Sequence, residues 1–549
     1  MAELYHIAPE APPAPGGAQE VGNKAWNLMR MAQAGLPVPP AFVLPTDWCG
    51  RAGPGVAPAL RQVLGEGIVG LEAATTLKFG GARRPLLVSV RSGGAVSMPG
   101  MLETVLDVGM NRVTVEGLIR LTGNPRLAWD SFRRFVQGYA EVVTNLPTTP
   151  FDALVRAAMQ VEDAGTEREL DHRALKALTL SMLECYRSLT GVAFPADPYE
   201  QLAAAAAAVF RSWNSAKAAS YRQMNGISDT AGTAVTVQTM VYGNAGGTSG
   251  AGVGFTRNPA TGTRELYFDF QFNAQGEDVV AGRHNMRDND RLRLVLPTVW
   301  GQLQMICQRL ERLFHDAQDF EFTVQSGVLY LLQTRRAKRT DWAALAIAVA
   351  MVEEGLLTPA EALGRLEGID LNAIVRTSFA PPVPETLAMA QVAGMGVASG
   401  VIALDTEAVK RFAAAGTAAL LVRWETVTAD IEGMALAAGI LTGSGGRTSH
   451  AAVVARQMGK VCLVACPELT IDLGHRSCSI GGHVLNEGDF LSLDGNTGAV
   501  HPGRLTPVIL RPETALAAVA AWRHEVAQEH KIAQKVGDHA PVVINNRSS

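Results

Sequence analysis

The pattern of hydrophobic and polar positions predicts an α/β region in the first part of the chain, interrupted by helices. Apolar residues recur at helical spacing over 24–34, whereas 85–90 is a short apolar run typical of a strand. From 113 to 190 the apolar positions keep the spacing of long amphipathic helices. We therefore expect a helical insertion at about 111–195.

Strands are predicted again after this insertion, and a second α/β unit follows. The β-rich segments are 233–242, 252–255, 265–270 and 319–333. An alanine- and leucine-rich amphipathic stretch covers 340–371, and the proline-rich segment 379–384 is a natural linker. Small apolar and glycine-rich segments over 394–503 predict the second unit, and 513–534 predicts a terminal helix.

Length and composition agree with a multidomain protein of mixed α/β fold. The chain has 549 residues, whereas a single core rarely extends beyond about 250–300 residues. Hydrophobic residues make up 47%, which excludes disorder throughout. The net charge of −4 provides no overall basic field, so a nucleic-acid partner is not expected.

Targeting and membrane signals are absent from the sequence as given. The first 17 residues have neither the basic nor the apolar region of a signal peptide, and the uncharged stretch 230–256 is rich in Gly and Thr. We expect a cytoplasmic protein with no membrane partner. The six cysteines do not resemble a secreted disulfide framework, and Cys462 and Cys466 lie in an apolar run, where buried thiols are expected.

The segment 445–460 carries the most specific chemical signal. A glycine-rich turn, Gly445-Gly-Arg-Thr-Ser-His450, leads into small and apolar residues that form a helix. Thr448 or Ser449 would cap this helix and place His450 in its first turn. The partial positive charge of a helix N-terminus disfavours imidazolium and leaves a neutral, nucleophilic ring nitrogen. Most single histidines near turns are structural, so the surrounding string decides the interpretation.

That string resembles the phosphohistidine domain of the enzymes that use or make phosphoenolpyruvate (PEP), especially the pyruvate phosphate dikinase family. By this resemblance His450 carries a phosphoryl group between two distant sites. Segments 481–489 and 492–498 are also similar to the end of that domain. Its usual opening turn, similar to Ala-Ser-Pro-Gly, is replaced by 394–400, and we expect this departure to affect packing more than chemistry.

Candidate phosphate-binding groups occur in the first 140 residues. Lys24 and Arg91 are cations beside glycines at the ends of predicted elements, although each alone is most simply a solvated side chain. The loop 92–101, which contains Ser97 and Gly100, has small residues and backbone donors that can fold over phosphates. Segments 89–93, 96–101 and 255–262 are similar to the ATP-grasp domain of the same family.

Acidic residues provide candidate metal ligands. Glu277 and Asp278 lie in a predicted loop, and Asp319 and Glu321 alternate so that both carboxylates share one face of a strand. Gln333 and Arg335 alternate in the same way on the next predicted strand. The two strands would pair as a hairpin around a Mg-triphosphate.

The resemblance implies an ATP and Mg²⁺ site and a set of catalytic groups. The residues that match the family's site are Lys24, Arg91, Arg134, Asp278, Glu321, Gln333 and Arg335. The adenine is expected near Gln238 and Met240, because ATP-grasp folds bind the base with the backbone of a β segment. One departure is Ala251, where the family tends to carry Thr, and phosphoryl transfer is expected to be slower or altered if that hydroxyl positions phosphate.

The expected domain organisation follows from the same resemblance. It comprises an ATP-grasp domain at 1–338, a helical linker at 339–384, a swivelling phosphohistidine domain at 385–506 and a helical tail at 507–549. The family's pyruvate- and PEP-binding (β/α)8 barrel needs about 200 residues, and about 40 follow Pro507. We therefore expect the barrel on a separate subunit.

The leading functional hypothesis is an ATP- and Mg-dependent phosphorylation of His450. By resemblance, ATP and inorganic phosphate would give AMP and pyrophosphate, and the phosphoryl group would pass to pyruvate. Three alternatives remain: a pyruvate,water dikinase or another small-molecule dikinase, a nucleotide-binding regulatory relative without turnover, and a truncated dikinase.

Overall fold

The computed structural model describes residues 4–51, 57–96, 98, 101–276, 287–445 and 450–537. The chain divides into two compact units. The first unit comprises Met1–Gly252, Phe272–Gly276 and Phe320–Arg335, and the second comprises Val253–Gln271, Glu277–Asp319 and Arg336–Ser549. Helices and several sheets occur along the chain, which confirms the expected mixed α/β, multidomain fold class.

The first seven strands are short and lie in the first unit. They are β1 Tyr5–Ile7, β2 Ala41–Leu44, β3 Lys78–Phe79, β4 Pro85–Leu86, β5 Val88–Gly93, β6 Thr104–Val108 and β7 Ala234–Thr239. Five of them form an antiparallel sheet in the order β1-β2-β7-β5-β6. The predicted strands at 85–90 and 233–242 are thereby confirmed.

Helices cover this sheet and form the predicted helical segment between β6 and β7. The helices of the first unit are α1 Gly17–Gln33, α2 Asp47–Arg51, α3 Ala57–Thr75, α4 Arg112–Thr122, α5 Pro125–Val142, α6 Thr149–Val161, α7 His172–Thr190, α8 Pro198–Ser212 and α9 Ala216–Met224. One core joins the sheet to these helices, with Phe42, Val88, Phe132, Leu175 and Phe210 among its buried residues.

The boundary between α4 and α5 illustrates how the sequence ends one helix and starts the next. The Asn111 side chain accepts hydrogen bonds from the backbone of Val113 and Thr114, and Thr114 accepts one from the Asn111 backbone, which completes a capping box. Gly123 ends α4 in the left-handed conformation with φ 67°. Asn124 then caps α5, whose first residue is proline.

A four-stranded sheet contains the predicted acidic hairpin. Its strands are β8 Gly250–Phe255, β9 Tyr267–Phe272, β10 Gln318–Gln325 and β11 Val328–Arg336, in the order β11-β10-β8-β9. Ser326 and Gly327 connect β10 to β11 with φ angles of 51° and 80°. Positive φ at both central residues is the geometry that tight two-residue hairpins favour.

The remaining helices belong to the second unit. They are α10 Arg287–Val295, α11 Pro297–Phe314, α12 Asp341–Glu353, α13 Pro359–Arg365, α14 Thr406–Ala414, α15 Ile431–Leu436, α16 His450–Gln457 and α17 Glu513–Gly537. Val519 and Trp522 of α17 are buried in one cluster with residues of α12 and α13. Short 3₁₀ turns occur in the chain at Glu167–Glu169, Asp229–Ala231, Leu371–Ala373 and Thr428–Asp430.

An eight-stranded sheet organises the part of the second unit that contains His450. The strands from β12 onward are β12 Arg376–Phe379, β13 Ala388–Met389, β14 Gln391–Gly394, β15 Val397–Ala403, β16 Ala419–Arg423, β17 Gly439–Thr442, β18 Val461–Val464, β19 Leu469–Asp472, β20 Ser477–Ile480, β21 His483–Asn486, β22 Phe490–Asp494, β23 Ala499–Pro502 and β24 Pro507–Leu510. The sheet order is β13-β23-β22-β15-β16-β17-β18-β14, and a separate sheet joins β19, β20 and β21.

The central strands β15 to β18 are parallel and buried on both faces. Leu420 and Val422 of β16 point into one hydrophobic cluster, whereas Ala419 and Leu421 point into another on the opposite face. Parallel strands covered on both faces are nearly continuously apolar, as this segment is.

Two other expectations concern cysteines and membranes. Cys462 and Cys466 are buried within these clusters, as expected. Across the described ranges, no helix combines the length and the apolar character that a membrane crossing needs.

Candidate functional site

Lys24 is positioned by a break in helix α1. Gly22 has φ 76° and ψ 152° inside the helix, a conformation that suits glycine. A Cβ atom at this position would lie 2.1 Å from the carbonyl oxygen of Gly93 at the end of β5. The backbone N–H of Asn23 donates to the carbonyl of Gly94 at 2.9 Å. The break therefore lets α1 start its second part directly beside β5, which carries Arg91.

A buried hydrogen bond connects α1 to strand β11. Asn27 lies three residues after Lys24, and residues at this spacing share one face of a helix. The Asn27 Nδ2 donates to the carbonyl oxygen of Thr334 at 2.9 Å. Thr334 lies between Gln333 and Arg335 in the sequence. The bond holds the Lys24 face of α1 against the strand that carries the other predicted phosphate ligands.

Three of the predicted residues act electrostatically on a fourth, Lys24. The pKa of Lys24 is lowered to about 8, first by burial and then by the positive charges of Arg91 and Arg335, while the Glu321 carboxylate acts in the opposite direction. The site thus contains three cationic groups and one carboxylate. A cluster of cations at a partly buried position suits a polyanionic ligand such as a triphosphate.

A cavity of about 370 Å³ opens in the first unit. Leu87, Leu118 and Met240 contribute apolar walls, and Thr239 and Gln325 are among the polar lining residues. An apolar cavity with a few polar groups is the usual form of a small-molecule site. Its dimensions and lining suit a flat purine base.

The strand end beside this cavity is held by hydrogen bonds from both neighbouring sheets. The backbone N–H of Tyr242 donates to Gln325 Oε1 at 2.7 Å, and the Tyr242 hydroxyl bonds to the buried Asp107 at 3.0 Å. Burial, followed by the charge of Asp107, raises the pKa of Tyr242 well above its usual range. Met240 lines the cavity, whereas the amide of Gln238 is buried and donates to the Pro39 carbonyl at 3.3 Å.

Arg134 lies on helix α5, where its Nε is 3.1 Å from Oδ2 of the buried Asp130. Burial by itself would raise the pKa of Asp130, but the charges of Arg134 and Arg133 outweigh this effect and lower it. Asp130 therefore remains ionised, and its carboxylate holds the Nε side of the Arg134 guanidinium in a defined direction.

The predicted metal ligands are only partly described. Glu321 is half-buried on β10, Gln333 is half-buried on β11, and Asp319 is buried. Glu277, Asp278, Ser97 and Gly100 lie outside the described residues. Among the described residues, no group of three or more His, Cys, Asp or Glu side chains could by itself hold a metal ion.

The second site is the start of helix α16 at His450. Strand β17 leads to Gly445, which has φ 94° and turns the chain. Thr448 and Ser449 lie outside the described residues. Ala451, Ala452 and Ala455 of α16 are buried against one face of the eight-stranded sheet. These small side chains hold the helix close to the sheet and set the direction of its first turn.

Comparisons with known proteins define the class to which these two sites belong. Residues 59–301 match the family model "Pyruvate phosphate dikinase, AMP/ATP-binding domain". Residues 416–498 match "PEP-utilising enzyme, mobile domain". A nucleotide-binding domain is thus followed along the chain by the mobile domain of a PEP-utilising enzyme.

Individual relatives agree with this classification. The chain is 43% identical over 490 residues to pyruvate, phosphate dikinase of Clostridium symbiosum, an alignment that covers 88% of the chain and 56% of the relative. It is 41% identical over 514 residues to pyruvate, phosphate dikinase 1, chloroplastic, of Zea mays, covering 92% of the chain and 54% of the relative. The chain belongs to the pyruvate phosphate dikinase family. It spans little more than half the length of these relatives.

Some contributors to the first site were not predicted from the sequence. Gly22 and Asn27 carry no charge, and their importance depends on Gly93 and Thr334, which are distant in the chain. Asn27 was detectable only as a polar residue on the apolar side of an amphipathic helix. Tyr242 and Gln325 are likewise far apart in sequence and meet only in the folded unit.

Proposed function

We propose that this chain binds Mg-ATP at the cluster formed by Lys24, Arg91, Glu321 and Arg335 and uses it to phosphorylate His450. The observation that carries the proposal is the proximity of Arg91, Arg335 and Glu321 to the buried Lys24, whose pKa all three residues affect. Such a cluster of cations suits the phosphates of a nucleotide, and the carboxylate beside it suits a metal ion bound to those phosphates.

The cavity beside Met240 would hold the adenine. Its apolar walls suit the faces of the base, and backbone groups near Met240 would read its edge. Lys24 and the two arginines would then contact the phosphates. The Gln238 side chain would support the strand rather than contact the base, since its amide is already bonded to Pro39.

Mg²⁺ would be held by the carboxylate of Glu321 and the amide oxygen of Gln333, because this ion prefers oxygen ligands. Glu277, Asp278 and Asp319 are further candidates from the sequence. Glu321 is close enough to Lys24 to affect its pKa, so its carboxylate already has cationic neighbours. We therefore expect the metal to bind together with the nucleotide, whose phosphates it would partly neutralise.

Phosphorylation would proceed in two balanced steps. A neutral ring nitrogen of His450 would attack the β-phosphorus of ATP, and the bond from that phosphorus to the oxygen of AMP would break. His450 would then carry a pyrophosphoryl group. An oxygen of inorganic phosphate would attack its γ-phosphorus, and the bond from that phosphorus to the oxygen bridging it to the β-phosphorus would break. Pyrophosphate would leave, and the β-phosphoryl group would remain on His450. Arg134 and Arg335 would stabilise the charge on the transferring groups, and Thr448 and Ser449 would support the His450 turn.

The final acceptor would be pyruvate, in keeping with the names of the relatives. In our proposal residues of this chain supply the phosphohistidine, and pyruvate and PEP bind to a barrel of the kind found in the family. A purified chain that forms the labelled histidine but no PEP from pyruvate, and gains that activity when a barrel subunit is added, would support this arrangement.

The decisive experiment measures transfer of label from ATP to the chain. The protein is incubated with ATP labelled in the β-phosphate, Mg²⁺ and inorganic phosphate, and acid-labile label on the chain is quantified. We expect label on the parent protein and none on His450→Ala. His483→Ala is the matched control, because His483 is an exposed histidine on strand β21.

Three results would each contradict a different part of the proposal. Label that persists in His450→Ala would exclude His450 as the carrier. ATP binding with no label in the parent protein would instead favour a nucleotide-binding regulatory role. Release of the γ-phosphate as orthophosphate rather than as pyrophosphate would favour the water-dependent dikinase reaction over the phosphate-dependent one.

A further inference from the structure

The segment between strand β17 and His450 is held by its neighbour, the segment that follows β16. Strands β16 and β17 are parallel partners up to Arg423 and Thr442. Beyond the strand ends the pairing continues, because Gly443 N–H donates to the Arg423 carbonyl at 3.0 Å and Ser444 N–H donates to the Trp424 carbonyl at 2.8 Å. The first residues on the path to His450 therefore depend on where residues 423 and 424 lie.

The indole of Trp424 lies against the backbone of Gly443. A Cβ atom added to Gly443 would be 2.3 Å from Cε3 and 2.6 Å from Cζ3 of the Trp424 ring. Gly443 is not among the glycines with positive φ. The space that the ring occupies, rather than backbone conformation, is therefore what requires glycine at position 443.

Trp424 is unusual because it is a large aromatic side chain with 54% of its surface exposed. Burial of apolar area explains only in part why a tryptophan occupies position 424, because an exposed indole is not favoured on a protein surface. The residues around Trp424 are linked through Asp430, whose carboxylate accepts a hydrogen bond from Val427 N–H at 2.9 Å and lies 3.6 Å from Arg423 Nε. The ring thus rests on a well-anchored turn.

The segment under the ring is also bonded on its far side. The Thr442 carbonyl accepts from Cys466 N–H at 3.0 Å, and the Thr442 hydroxyl donates to the Ser444 carbonyl at 2.7 Å. Residues 442–444 are therefore hydrogen-bonded to the neighbouring segments on both sides and to one another, immediately before Gly445 turns the chain. Helix α16 begins five residues further on, at His450.

We propose that Trp424 is a positioning residue for the phosphohistidine: its ring presses on Gly443 and sets the direction in which the chain leaves β17 toward His450. This inference rests on the proposed function of His450. Loss of the ring would let the exit segment shift without unfolding the sheet. Because ATP binds elsewhere in the proposal, such a shift would slow phosphoryl transfer and leave nucleotide affinity unchanged.

The test compares single-turnover labelling rates and ATP affinities of four variants with those of the parent chain. Trp424→Ala should slow labelling at saturating ATP on the order of 10- to 100-fold, the range that misplacement of a reacting group can produce. Trp424→Phe, which keeps a flat ring over Gly443, should recover most of the rate. ATP affinity and melting temperature should stay close to those of the parent.

Gly443→Ala and the double variant Gly443→Ala with Trp424→Ala supply the sharper readout. The alanine methyl collides with the ring only when Trp424 is present, so Gly443→Ala should slow labelling in the parent background and add little in the Trp424→Ala background. Gly364→Ala is the control glycine, because nothing lies within 4 Å of its added Cβ. Val427→Ala, an exposed apolar neighbour, should behave like the parent.

Several outcomes would overturn the inference. Labelling of Trp424→Ala at the parent rate would do so, as would strictly multiplicative losses in the double variant or a raised ATP KM without a change in rate. If Gly443→Ala does not fold, the comparison of Trp424→Ala with Trp424→Phe still decides whether the ring positions His450. Label that persists in His450→Ala would defeat the proposed function itself, whereas label lost in His450→Ala but normal in Trp424→Ala would defeat only the positioning role.

Discussion

The two sites are built in different ways. The proposed nucleotide site draws Lys24 from α1, Arg91 from β5, and Glu321 and Arg335 from the hairpin of β10 and β11, so its geometry depends on contacts between distant segments. The proposed His450 site lies within one short stretch of sequence between β17 and the start of α16 in the second unit. A site assembled from distant segments fails when any one of its supports moves, whereas a site within one short stretch of chain depends on fewer supports.

The strongest test of this difference is Gly22→Ala. The new methyl would meet the Gly93 carbonyl at 2.1 Å and would also require a φ of 76°. We expect a loss of about 2–4 kcal/mol in the stability of the first unit, together with loss of ATP binding. Gly65→Ala is the control, since its added Cβ meets nothing within 4 Å. The measurement is thermal unfolding in which the transitions of the two units are separated. An unchanged unfolding transition of the first unit would refute the role of Gly22.

A smaller effect is expected from Lys24→Met, which removes one charge and keeps the length of the side chain. ATP affinity should fall on the order of 10- to 100-fold, because a hydrogen bond to a charged group contributes ~1.5–3 kcal/mol. Calorimetric titration with ATP and Mg²⁺ measures the change. Lys217→Met removes an exposed ion pair with Glu103 and should leave affinity unchanged. Equal losses in both variants would indicate a general charge effect rather than a site.

Asn27→Ala removes one buried hydrogen bond, and we expect it to lower stability for purely structural reasons. The buried Thr334 carbonyl would lose its donor, at a cost of about 1–3 kcal/mol. Asn225→Ala also removes an amide bond to a carbonyl, but an exposed one, and should cost much less. Chemical denaturation of both variants gives the comparison. A loss in Asn27→Ala no larger than that in Asn225→Ala would show that the bond to β11 does not hold α1.

The smallest expected effect is the dependence of ATP affinity and of folding stability on pH. The Lys24 ammonium is present below a pKa of about 8, so ATP affinity should decline as pH rises through that value. Without nucleotide the sign reverses: the pKa is lowered on folding, so the unfolded chain binds more protons between about 8 and 10.5 and stability rises with pH there. Both slopes should weaken in Lys24→Met, and identical profiles in the two proteins would exclude Lys24 as their source.

The two sites also differ in how far they could be predicted from sequence. His450 was predicted from a single short string that resembles the phosphohistidine domain of the family, because the glycines, the candidate capping residues and the small side chains are all adjacent in sequence. Lys24, Arg91, Glu321 and Arg335 were each weak signals, and only the resemblance to a family grouped them. Gly22 and Asn27 were missed, since a glycine inside a helix and one buried amide have no distinctive local pattern.

The sequence by itself determined the mixed α/β class, most of the strands and helices, and the family. These properties depend on hydrophobic period, on caps such as Asn111 and Asn124, and on turn residues such as Ser326 and Gly327, all of which act between near neighbours. Only the tertiary structure decided that Lys24 lies beside Arg91 and Glu321, that Trp424 lies over Gly443, and that Lys24 has a lowered pKa. Burial and charge proximity are properties of folded segments in contact, and no local pattern in the chain specifies them.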